Sequence, residues 1–135
     1  MTEPIITNSD EFDYEKLRQG IILFNSAEFF KAHEVWEELW LTARETDKLF
    51  LQGMIQLAAA FHHYTRGNLK GTKSLLEAGL GKLRKFPKEY RGANLNALLR
   101  AADSCLGAVT RGGSAAVAEF PRIELLPPGQ SNPST

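Results

Sequence analysis

The stretch FFKAHEVWEELW, residues 29 to 40, sets one imidazole and three carboxylates among two phenylalanines and two tryptophans. His33 and Glu37 stand one helical turn apart, so on a helix their side chains are neighbours. A histidine and a carboxylate at that spacing can supply two ligands to a divalent metal, or fix the polar end of a small ligand. The stretch begins like the zinc-protease motif H-E-x-x-H, but Glu37 stands where the second histidine belongs. A metal here needs a third ligand, from His63 or Glu34. The candidate metal set is therefore His33, Glu37 and His63, with a divalent ion as the cofactor it would take. A second polar group lies downstream in LFLQGMIQLAAAFHHY. Gln52, Gln56, Ala59 and His63 form one line on a helix that is otherwise apolar.

A helical wheel at about 100° per residue places Phe29, His33, Trp36 and Trp40 on one stripe facing the core. Glu37 falls at the edge of that stripe and Glu34 further round, while Glu38 and Lys31 fall on the far side. His62 points away from the glutamine line, with Ile55 and Leu51. Buried amides and imidazoles without partners cost about 1 to 3 kcal/mol each, so the two polar groups need something to bond. Short connections make consecutive helices neighbours, which turns the His33/Glu37 pair toward Gln52, Gln56 and His63. Counting from the turn near Thr46, His33 sits level with Gln56 rather than with His63. Two readings stay open. In one, the groups satisfy each other and fix helix register, as in a structural or protein-interaction module. In the other, His33, Glu34, Glu37, Trp40, Gln52, Gln56 and His63 line a ligand or metal site. No catalytic residue can be named.

The elements that must position these groups are helices. Apolar residues at helical spacing predict five of them, from about Asp13 to Phe24, through the quoted stretch to Ala43, Lys48 to Arg66, on to Phe86, and Leu95 to Val109. Turn signals separate them. Asn25 suits a left-handed turn and Ser26 a cap, Thr46 or Asp47 caps the third helix, and Gly67 with Asn68 ends the third and starts the fourth. The segment KEYRGAN reads as a loop. The third helix is apolar on nearly every side and is the predicted centre of the bundle or a subunit interface. The fold class is therefore all-α: a compact bundle of about five helices in stacked antiparallel hairpins, with an extended Pro-rich C-terminal tail. Residues 1–10 read as a flexible arm, 11–111 as the helical domain, and 112–135 as a short turn and the tail.

Composition narrows the class. The chain has 135 residues, of which 43% are hydrophobic and 24% charged, which suits one globular domain. Sixteen basic residues balance sixteen acidic ones, so nothing in the charge argues for nucleic acid or an anionic membrane as partner. No apolar run reaches the roughly 18 residues of a membrane span, and the first residues carry no secretory pattern. A single cysteine, Cys105, allows no internal disulfide and lies on an apolar helix face. Together these point to a cytoplasmic protein. The excess of apolar surface predicts a homodimer. Neither a Glu-x-x-His pair, a Gly-rich phosphate loop nor a G-x-S-x-G elbow occurs.

LFNSAEFFKAHEVWEELW followed by FLQGMIQLAAAFHHYTRGNLKGTKSLLEAGLGKL resembles the bacterial, archaeal and plastid domain-of-unknown-function family 309. The resemblance covers about Gly20 to Leu83 and rests on FN, HEVWEELW, GMIQLAAAFHH and GN..G in that order. It implies a small all-helical bundle and no particular activity. It places His33, Glu34, Glu37, Trp40, Gln56 and His63 at the family's characteristic positions. The tail FPRIELLPP is similar to that of longer members. Lys73 and Ser74 depart from the pattern by being polar.

Overall fold

A computed structural model describes residues 11–112 and 117–126. The expected arm at residues 1–10 lies outside them, as do Pro127, Pro128 and Pro133 of the tail. The helices are α1 (Tyr14–Asn25), α2 (Phe29–Thr42), α3 (Glu45–Thr65), α4 (Leu69–Leu83) and α5 (Leu95–Gly112). Each packs against the next in the chain, most extensively α3 on α4 and α3 on α2. The protein is thus all-α, as the periodicity predicts. One small exception replaces the expected loop after α4. Here β1 (Glu89–Tyr90) and β2 (Ala93–Asn94) form an antiparallel hairpin, and Leu125 adds a bridge to Ala93.

The third helix is the centre. Phe50, Leu51, Met54, Leu57, Ala58, Ala60 and Phe61 are all fully buried. It comes close to α4 through glycines: a Cβ on Gly79 would meet the Gly53 carbonyl at 2.9 Å, and one on Gly53 would meet Leu83 at 2.7 Å. Both distances are too short for real side-chain carbons, so this crossing requires hydrogen at both positions. A similar absence of space joins α1 to α2. A Cβ on Gly20 would fall on the Trp36 indole, whose Nε1 donates to the Leu17 carbonyl at 3.2 Å.

The buried stripe of α2 is Phe29, Ala32, Trp36 and Leu39. The expected stripe is rotated: His33 and Trp40 flank it, half-buried. The helix packs on both α1 and α3, so its buried stripe must serve two neighbours and His33 falls at the rim.

Two caps also differ from expectation. Ser26 closes α1 rather than opening α2, with its Oγ donating to the Ile22 carbonyl at 2.9 Å. Ala27, not Asn25, takes the left-handed conformation, at φ 62°. The Asn25 amide is used elsewhere, pairing with both the N–H and the carbonyl of Ile123 at 2.8 and 2.9 Å, which ties the C-terminal segment to the end of α1. At the start of α3 neither Thr46 nor Asp47 caps. The N-cap is Arg44, and Asp47 lies inside the first turn. Gly67 (φ 80°) and Asn68, whose side chain accepts from the Gly71 N–H, behave as the sequence suggests.

Asp47 is drawn inward by a partner far away in sequence. Arg91, from the hairpin turn, donates Nε to Oδ1 at 3.0 Å and Nη2 to Oδ2 at 2.7 Å, and the Tyr90 hydroxyl donates to Oδ1 at 2.8 Å. The Asp47 side chain is only 7% exposed. The Arg91 guanidinium also lies over the Phe12 ring at 4.3 Å and donates to the Tyr14 hydroxyl at 2.8 Å. One fork thus clamps hairpin, α3 and the start of α1.

Candidate functional site

On α2, His33 Nε2 and Glu37 Oε2 stand 3.2 Å apart, the one-turn pairing that the sequence predicts. The imidazole is half-buried and stacks on Phe30 at 5.5 Å, with the planes 30° apart. Glu37 is more open than its wheel position implies, at 55% exposure. Glu34 and Glu38 are exposed as well. Glu38 pairs with Lys16 of α1 at 2.9 Å, while the Glu34 side chain makes no hydrogen bond or ion pair among the described residues.

The groups divide between two hollows along the outer seam of α2 and α3. The larger is an open cleft of about 700 Å³ lined by Glu34, Glu37, Glu38, Trp40, Leu41, Gln52, Ile55 and Gln56. The smaller, about 120 Å³, is lined by Phe30, His33, Ala59, His62 and His63. So His33 shares its hollow with His63, and Gln56 lies in the adjoining cleft with Glu37.

His62 is the member that sequence reasoning missed. It sits 5.2 Å from Phe30 and 6.2 Å from His63, centroid to centroid, so all three histidines of the chain gather at one end of the seam. Partial burial, then the charges of Arg66, His63 and His33, push its pKa below the ordinary 6.5. The missed signal was Phe30, an aromatic on the outer face of α2 that a second ring could use.

As a metal centre the residues do not fit. His33 is engaged with Glu37, and His63 Nδ1 lies 3.1 Å from the Asn68 amide nitrogen. Among the described residues no three His, Cys, Asp or Glu side chains are grouped to hold an ion. Two side-chain atoms among the described residues, His33 Nδ1 and Gln56 Oε1, are buried with no protein hydrogen-bond partner, where buried polar groups ordinarily have one.

The cleft's charge is one-sided. Its lining has three carboxylates and two side-chain amides, and no lysine or arginine. Two cations stand beside it: Lys16 pairs with Glu38 at 2.9 Å, and Lys48 Nζ lies 4.1 Å from the centre of the Trp40 ring. That contact marks the Trp40 face as a place where a positive group is stabilised. Cys105 is buried on α5, and burial pushes its thiol pKa up, which leaves it a core residue.

Helix order and an open polar seam define the class: a small all-α domain carrying a ligand-sized cleft between its second and third helices. Residues 17–75 match the family described as Domain of unknown function (DUF309), so the resemblance carried by the motifs is shown across α1 to the middle of α4. A protein of Aquifex aeolicus (strain VF5), described as an uncharacterized protein, is 30% identical over 94 residues. Those residues are 69% of this chain and 28% of that protein. The chain therefore spans well under half the length of that relative. No helix among the described residues is long and apolar enough to cross a membrane.

Proposed function

We propose that the domain is a binding module whose α2–α3 cleft receives a positively charged, donor-rich ligand. The supporting observation is the lining itself, three glutamates and two glutamines without a basic residue, with the Gln56 carbonyl oxygen buried and unpaired. Every free polar group there but the amide N–H groups accepts a hydrogen bond, so the complementary ligand donates. Glu34 and Glu37 supply charge, Gln52 and Gln56 orient, and Trp40 with Ile55 gives an apolar wall. His33 holds Glu37 in place from the neighbouring hollow. The reading includes a cytoplasmic setting, in keeping with an unpaired, buried thiol.

Spermidine is a suitable probe. Titrated into isotopically labelled protein at low salt, it is expected to shift the backbone amides of residues 34–41 and 52–56. Acetate at equal ionic strength is expected to leave them unmoved. Equal shifts with both, or none with either, would contradict a cation site.

A further inference from the structure

The seam is longer than a small amine. Phe30 and Leu41 are both exposed apolar residues, at 49% and 68%, and they lie on the same face of α2 as Glu34 and Glu37. Offsets of zero, four, seven and eleven residues return to one line on a helix. At 1.5 Å per residue the two apolar ends are about 16 Å apart. On α3 the facing residues are Gln52, Ile55, Gln56, Ala59 and His62, again one face across three turns. The result is an elongated face on α2 with an exposed apolar side chain at each end and two glutamates between, the histidines lying at the Phe30 end.

We infer that this face docks a basic amphipathic helix of a partner protein, seated lengthwise between α2 and α3. The inference rests on the cation reading above and specifies who carries the charge. A helix with apolar side chains three turns apart and arginine or lysine at the two positions between them matches Phe30, Glu34, Glu37 and Leu41 one for one. Neither end of the face can be reached by a ligand held only at the carboxylates. Charge complementarity selects a basic helix over an acidic or neutral one, because both charged rungs on α2 are glutamates and no basic side chain lines the cleft.

The probe is a synthetic peptide of about four helical turns, with leucines at the outer positions and arginines at the inner ones. Its controls are a scrambled peptide of the same composition and spermidine. The amphipathic peptide is expected to bind about tenfold more tightly than the scrambled one, to gain helical ellipticity, and to shift amides from Phe30 through Leu41 and from Gln52 through His62. Phe30→Ser, outside the lining of the cation cleft, is expected to weaken that peptide about tenfold and leave spermidine binding unchanged. Phe30 is 49% exposed and is no part of the buried core, so the fold does not depend on it. Equal binding of both peptides, with no effect of Phe30→Ser, would overturn the helix while the cation site survives. Failure of all three probes would overturn both. Sedimentation of the protein alone completes the test. A dimer that Phe30→Ser converts to monomer would show the occupant to be a second copy, and would also overturn the partner helix.

Discussion

His62 shows how one side chain reports on the seam. Its neighbours are Phe30, His63, His33 and Arg66, and they favour the neutral imidazole. A base whose pKa is lowered by folding adds stability that is fully present above its unfolded pKa of 6.5 and is lost as pH falls through the lower folded value. Urea unfolding at pH 7.5 and pH 5 is therefore expected to show a smaller acid loss for His62→Gln than for the unchanged protein. An equal loss would mean that the imidazole is not held by this environment. His62 was hidden in the sequence because α3 is apolar all round. A wheel finds the polar side of such a helix only if one neighbour covers the rest, and α3 meets α2 on one side and α4 on another. The His33–Glu37 pair was legible for the opposite reason, since helical geometry alone makes residues four apart meet.

Among the elements, the hairpin after α4 contributes most beyond what its length suggests. Two residues pair on each strand, too few to stand alone, and Arg91 anchors them through buried Asp47. The Tyr90 hydroxyl completes the group, and burial followed by its hydrogen bond to Asp47 pushes its pKa up to about 12. Removing the carboxylate leaves a mostly buried guanidinium and a phenol without their acceptor. Asp47→Ala is expected to cost about 3 kcal/mol in denaturant unfolding. A loss below about 0.5 kcal/mol, the range of an ordinary surface change, would show that the fork adds nothing to stability. The helices themselves were readable because apolar spacing is a local property. The caps were less so. Ser26 and Asp47 are good N-cap types, yet one is taken by the end of α1 and the other by a residue 44 positions away. No local pattern records such a competition.

For the whole molecule, the all-round apolar α3 is the feature of the sequence that predicts a second copy. That helix is covered within a single chain, between α2 and α4, and by the C-terminal segment whose Phe120 packs on Phe61 at 5.5 Å. Among the described residues, the large apolar side chains that stay exposed are instead on α1 and α2: Tyr14, Ile22, Phe30 and Leu41. Those on α2 flank the outer seam, whose polar members were legible in the sequence while its apolar ends were not. Whether the polar set is an open site or a lock on helix register is decided most directly by one double variant, Glu34→Gln with Glu37→Gln. Both carboxylates are exposed, and the change keeps their size. Spermidine affinity by calorimetry and unfolding free energy by urea are measured on the same sample. For an open cation site, affinity falls at least about tenfold, while stability stays within about 0.5 kcal/mol. Unchanged affinity together with a clear loss of stability would contradict it, because the glutamates would then be holding the helices and not a ligand.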